Sequence, residues 1–436
     1  MKTLLERARG SPLTILVSGM DSTDTMALLP PYTKQIADLK FINSRWADIQ
    51  RFSEINSGPL PLLRTLNINV TVRGIGPDGL LFSGAVGLKE FHLYSEGLPS
   101  LSHFVFPNLT SFELSVAIPR GQQYHGLQLL DFLDASPMLQ AVHVNTVAPI
   151  SLEGVPQNRV VVLRNVENFC LRDGGSRYKL AAHISCPSAK CTSLTHSRGG
   201  EIPHGVFPSL ASRNAILRQY MTSPVEEITL DIETEPGLFI ACSLTLSSDA
   251  AITRLRFEDL EGERDPSEFN YERPSTMLYY DAFSEASETI RDLPLLANVK
   301  RLHMHGHPEL EEQYVIESVA DELGRLLTPL VSLEELTISR CDTRPYFCLF
   351  LDLRAHMLEG PVVFPPIKVL SVSHQIERLP KYLAERLVEL AKAQHNLGIP
   401  FERVIVRMCN PPADMEERLR PWVGVVDCCV VSDERN

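Results

Sequence analysis

One short pattern, apolar-x-x-apolar-x-apolar, recurs along nearly the whole chain. It reads Ile36-Ala-Asp-Leu39-Lys-Phe41, then Leu63-Arg-Thr-Leu66-Asn-Ile68, then Leu88-Lys-Glu-Phe91-His-Leu93. Further copies stand at 109–114, 139–144, 225–230, 252–257, 299–304, 333–338, 367–372 and 401–406. Successive starts fall 27, 25, 21 and 30 residues apart early on, later 27 and 47, and then 34 three times running. The last two apolar positions have the period of a strand, so each copy supplies one short strand with an apolar side it cannot bury alone. Such units must stack.

The spacing therefore predicts an α/β fold: an irregular leucine-rich-repeat solenoid, a right-handed horseshoe with a curved parallel sheet. The clearest unit is Asp321-Glu-Leu-Gly-Arg-Leu-Leu-Thr-Pro-Leu-Val-Ser-Leu-Glu-Glu-Leu-Thr-Ile338. Leu323, Leu326 and Leu327 have helical spacing. Pro329 ends that helix, because it lacks an N–H and disfavours helical geometry in the residue before it. Leu333, Leu336 and Ile338 then face the core. The segments from Gln128 to Leu139 and from Ile290 to Val299 repeat this order of helix, proline and strand.

The rhythm breaks twice. Between Val144 and Val225 it blurs, although 159–163 reads as a strand and 191–194 as a degenerate copy. Residues 261–275 are charged and proline-rich and read as a protruding loop. The expected organisation is an N-terminal capping segment at 1–35, a single solenoid at 36–409 and a C-terminal cap at 410–436. A long helix at 381–396 leads into the last clean copy, and 415–420 and 422–431 read as a capping helix and strand.

Of the 436 residues, 44% are hydrophobic, enough for a substantial core. A net charge of -13 argues against a general affinity for nucleic acid or anionic membrane, both of which need a basic surface. No stretch reaches the ~18–20 apolar residues of a membrane-spanning helix. The amino terminus meets charge too early for a secretory signal core. Nine scattered cysteines point to reduced thiols and an intracellular location.

Catalytic chemistry finds no foothold, and neither catalytic residues nor a cofactor are expected. Gly74-Ile-Gly76-Pro-Asp-Gly79 matches a dinucleotide fingerprint, but Pro77 and Asp78 form turns and no crossover helix has room to follow, so it reads as a glycine-rich turn between repeats. His303-Met-His305-Gly-His307 is the one histidine cluster. Residues 303 and 305 share a strand face, yet no nearby cysteine or carboxylate completes a tetrahedral set, so they read as solvent-facing rather than metal-binding. Cys428-Cys429 and Cys186…Cys191 lack zinc-knuckle spacing, and one of the former pair reads as a small core residue.

What remains is the surface. The residue between the last two apolar positions, and the one after them, point away from the core onto the concave face. These positions give Asn67 and Asn69, His92 and Tyr94, Glu113, His143 and Asn145, then Asp231, Arg256, Glu258, His303 and His305. The set is polar and rich in hydrogen-bonding groups, and suits a protein or peptide ligand of mixed charge.

With the repeats placed, the ends become informative. Leu5-Glu-Arg-Ala-Arg-Gly-Ser-Pro-Leu-Thr-Ile15, Ser44-Arg45-Trp46 and Pro59-Leu-Pro-Leu-Leu-Arg-Thr-Leu66 resemble successive landmarks of basidiomycete F-box proteins. Gly398-Ile-Pro-Phe-Glu-Arg-Val404 and Pro421-Trp-Val-Gly-Val-Val426 are similar to the end of the same group. The resemblance covers most of the chain through loose apolar patterns. It implies the substrate-recognition part of an SCF-type ubiquitin ligase, with the ligase adaptor as a partner if an F-box lies upstream of Met1. The F-box itself is not in this sequence; Leu379-Pro380-Lys-Tyr-Leu-Ala-Glu-Arg-Leu387 matches only its first line. The alternative is a stand-alone scaffold with no ligase link.

Overall fold

The computed structural model describes residues 10–18, 28–56, 58–71, 80–96, 100–117, 123–146, 150–173, 180–198, 224–235, 239–249, 251–260, 296–305, 313–339, 367–374, 381–408 and 413–430, with a few isolated positions such as Leu5, Met26, Ser287 and Arg291. The chain divides into two compact units, Met1–Gly199 and Gly200–Asn436.

In the first unit, β1 (Leu13–Ser18), β2 (Ile36–Ser44), β3 (Thr65–Val70), β4 (Glu90–Ser95) and β5 (Ser111–Val116) lie side by side in chain order. The hairpin-length strands β6 (Tyr124–His125) and β8 (Ile150–Ser151) pair with each other, while β7 (Ala141–Thr146) continues the main sheet. Likewise β9 (Val161–Val162) pairs with β11 (Ile184–Ser185), and the sheet proceeds through β10 (Asn168–Asp173) to β12 (Cys191–Arg198). All pairings along this sheet are parallel.

The first described strands of the second unit are β13 (Glu227–Glu235), β14 (Phe239–Ser247) and β15 (Ile252–Leu260), an antiparallel meander. On the other side of β13 the parallel order resumes with β16 (Arg301–His305), β17 (Glu335–Ser339), β18 (Val369–His374), β19 (Arg403–Met408) and β20 (Val425–Val430). The sequence spacing reads 225–230 and 252–257 as consecutive parallel copies; the structure corrects this. β14 lies between them, and the next copy beside β13 is β16, so Lys300 N–H donates to Glu226 O across 74 positions of sequence. The reason is local: β14 alternates buried Leu244 and Leu246 with half-buried Ser243, Thr245 and Ser247, a two-residue period that suits a meander.

A repeated backbone geometry underlies the strands. The first apolar residue of a copy donates its N–H to the residue three before it, as in Leu63 to Leu60, Leu109 to Phe106, Leu139 to Ser136, Val299 to Leu296 and Leu333 to Leu330. The next two N–H groups both reach one carbonyl of the neighbouring copy: Lys89 and Glu90 to Arg64, Thr110 and Ser111 to Lys89, Glu334 and Glu335 to Lys300, Lys368 and Val369 to Glu334. Where the turn backs closely on its neighbour, glycine is required. A Cβ on Gly424 would sit 2.8 Å from Glu402 O.

Helices cover the apolar side of the sheet. In α1 (Trp46–Ile55) the Asp48 carboxylate accepts from the Arg45 N–H and starts the helix, and Phe52 meets Phe41 of β2 edge-on at 5.4 Å. Phe132 of α2 (Gly126–Asp134) packs at a tilt on Phe112 of β5, ring centres 4.5 Å apart, in an aromatic core with Phe91, Phe104 and Phe106. The second core is aliphatic: Leu323, Leu326 and Leu327 of α3 (Gln313–Leu327), with Leu330, Leu333 and Leu336, are all fully buried. α4 (Lys381–Asn396) matches the helix read from sequence, and α5 (Met415–Leu419) precedes β20.

Two smaller readings change. Of 159–163 only Val161–Val162 is a strand, outside the main sheet, because Val160 and Val162 face solvent. The final strand starts at Val425; Trp422 sits in the turn before it, with Lys392 Nζ 5.5 Å above its ring. Between Ile290 and Val299 the described residues are helical at Arg291, ahead of Pro294, and form a 3₁₀ turn at Leu296–Asn298. The Gly74–Gly79 motif, His307, Leu379-Pro380 and the 261–275 segment lie outside the described residues.

Candidate functional site

Strand alternation sends one set of side chains into the core and leaves the other on the opposite face, here called the open face. In β3, for example, Leu66, Ile68 and Val70 are buried and Thr65, Asn67 and Asn69 are half-buried. Because the pairing is parallel and in register, equivalent open-face residues form straight rows. One row in the first unit runs Lys40, Asn67, His92, Glu113, His143, Cys170. The next runs Asn69, Tyr94, Ser115, Asn145, Arg172. All seven residues singled out from this part of the sequence thus lie in two adjacent rows.

Glu113 is the hub of the first row. Its Oε2 accepts from His92 Nδ1 at 2.7 Å and its Oε1 lies 3.9 Å from His143 Nδ1. An ionised carboxylate can only accept, so the short contact places a proton on His92 Nδ1. Glu90 Oε2 stands 3.9 Å from His92 Nε2 on the same strand. In the second row Asn69 and Asn145 each bury a side-chain carbonyl oxygen with no donor among the described residues, while Tyr94 between them is the most open large side chain of the row, 36% exposed.

In the second unit Thr229, His303, Thr337 and Ser371 make one row, and Asp231, His305, Ser339 and Ser373 the next. His305 Nδ1 and Ser339 Oγ share a hydrogen bond of 2.7 Å. His303 Nε2 lies 3.8 Å from Glu227 Oε1, whose other oxygen accepts from Arg301 Nε at 2.7 Å. Arg256 and Glu258 belong to the backbone of β15, opposite Ser243 and Ala241 of β14; their side chains lie outside the described residues.

The arrangement offers hydrogen bonds and paired charge. Among the described residues no group of three or more histidine, cysteine or acidic side chains is set to hold a metal ion. A depression of about 230 Å³ lies between the end of α1 and residues 80–84, lined by Gln50, Ser53, Glu54, Asn56 and Phe82. It is smaller than the ~300–1,000 Å³ usual for small-molecule sites. Among the described residues no helix is long and apolar enough to cross a membrane.

The row alignment follows from spacing alone once each copy is given one strand. The Glu113–His92–His143 linkage does not, because sequence separations of 21 and 30 residues hide the contact. Compared with known proteins, the sequence matches no family model and no curated protein.

Proposed function

We propose that the chain is a binding protein, not an enzyme: an irregular leucine-rich-repeat solenoid whose open face is concave and receives a protein or peptide. One observation carries this reading, the in-register rows of half-exposed polar side chains across successive strands of each unit. A sheet face needs polar residues to stay in water, but not two parallel rows of hydrogen-bonding side chains beside a part-exposed tyrosine. On the resemblance of its ends, the bound protein is a substrate and the chain is the recognition part of an SCF-type ubiquitin ligase receptor inside the cell. The second reading is a scaffold without a ligase link.

The test is site-specific photo-crosslinking in the native cell. A photoreactive residue at Tyr94 should give discrete protein adducts, while one at the exposed Val331, in the turn before β17, should not. Adducts at Val331 alone, or none at either position, would sink the open-face assignment. Recovery of a cullin adaptor with the full-length gene product separates the receptor from the scaffold.

A further inference from the structure

The outer edge of β20 is left unfinished in a way that specifies its occupant. Among the described residues β20 pairs with β19 alone. Its core-side residues Val426 and Cys428 stand in register with Val404 and Val406, which are fully buried, yet both remain half-exposed. The comparison strand is β1, which also has one neighbour; there the core-side Ile15 and Val17 are only 7% and 5% exposed. Backbone parity completes the picture. Val425 N–H donates to Glu402 O, so Val425, Asp427 and Cys429 turn their peptide groups toward β19, and those of Val426, Cys428 and Val430 point outward. An outward row of peptide groups beside half-covered apolar side chains is a template for another strand.

We propose that the edge is filled by β20 of a second copy of this chain, antiparallel and two-fold symmetric. A two-fold axis across the sheet keeps like faces together, so only residues of equal parity meet. The register centred on Asp427 sets two carboxylates opposite each other at the closest cross-strand spacing, which is unfavourable. The register centred on Val426 runs past the start of β20 at Val425. The register centred on Cys428 meets neither objection. It sets Cys428 against the partner's Cys428, Val426 against the partner's Val430, and Asp427 against the partner's Cys429. Asp427 is already held by Arg403 at 2.5 Å, so the edge is close to neutral. Five paired residues make a small interface, and the dimer is weak and concentration-dependent.

The test uses the full chain, with molar mass followed against concentration by light scattering. Cys429 is exposed, so its substitution leaves the fold intact. Cys429→Lys places an ammonium against the partner's Asp427 and should tighten the dimer about tenfold, whereas Cys429→Asp should weaken it about tenfold, each change acting twice by symmetry. In the Cys429→Lys background a short thiol crosslinker should join Cys428 to Cys428, and adding Cys428→Ser should abolish the product. A monomer at every concentration overturns the proposal; if its β20 amides are already protected from hydrogen exchange, the chain's own last residues hold the edge. Equal association of the two Cys429 variants also overturns it, by assigning the contact to another surface. None of these outcomes bears on the open-face reading, which the Tyr94 crosslink tests separately.

Discussion

At the scale of single residues, the least comfortable group in the first unit is the Tyr124 hydroxyl. The side chain is 1% exposed, and its hydroxyl has no hydrogen-bond partner among the described residues. Burial pushes its pKa far above the ordinary phenol range, so the group stays neutral at every pH the fold experiences. A buried polar atom without a partner costs about 1–3 kcal/mol. Tyr124→Phe keeps the ring and removes that cost, so the variant should resist urea better by about 1 kcal/mol; a less stable variant would mean that the hydroxyl has a partner in solution. Cysteines offer a second reading at this scale. Burial pushes the Cys186 thiol up to about 12 and also raises Cys170 and Cys428, while Cys429 is exposed. The thiolate is the reactive form, so a raised pKa means less of it at a given alkaline pH. At mildly alkaline pH, alkylation followed by mass spectrometry should therefore modify Cys429 well before Cys428, and Cys186 only after unfolding.

Elements are joined by a ladder of charge along one side of the second unit. The residue after each leading apolar position is Glu226, Lys300, Glu334, Lys368 and Glu402 in turn, an alternation of sign across five consecutive parallel copies. Lys368 Nζ donates to Glu334 Oε1 at 2.8 Å, and this bond, with the Lys368 and Lys300 charges, holds the Glu334 carboxyl below its ordinary value. A depressed carboxyl contributes stability above the ordinary range and loses it as pH falls through the folded value. Both groups are exposed, so the contribution is small and salt-sensitive. In a carbon-detected titration Glu334 should ionise at lower pH than a free glutamate, and Lys368→Met should return it toward 4.5; an unmoved midpoint would show that the ladder does not persist in solution. The ladder was hidden in sequence because its first members stand 74 residues apart. Other elements were legible, some beyond the eleven copies found. Val166-x-x-Phe169-x-Leu171 and Val423-x-x-Val426-x-Cys428 carry the same pattern and form β10 and β20. β14 was not read as a copy, since the leading position of Ala241-x-x-Leu244-x-Leu246 holds only a small alanine. The open-face residues and their rows followed from alternation and spacing, but which of them bond to one another across strands depends on side-chain geometry that spacing does not contain.

For the whole molecule, the question is how far a disturbance travels. Within each unit a sheet strand pairs only with its neighbours, so stability should be close to a sum of local terms and nearest-neighbour terms. Ile68 of β3 stands in register with Leu93 of β4, both buried, whereas Leu171 of β10 lies four strands from Ile68, roughly 19 Å at the usual strand separation. Ile68→Val alone should cost about 0.5–1.5 kcal/mol, and Leu93→Ala or Leu171→Ala about 2–5 kcal/mol each. Combined with Leu93→Ala, Ile68→Val should depart from additivity by about 0.5 kcal/mol or more, because the two side chains share one packing site. Combined with Leu171→Ala, it should add to within about 0.5 kcal/mol. Native-state hydrogen exchange is the right measurement, since it reads local opening strand by strand without assuming a single unfolding step. Coupling as large for the distant pair as for the adjacent one would mean that the first unit opens as a single body. The regular spacing of the copies would then describe the geometry of the sheet and not the way its stability is distributed.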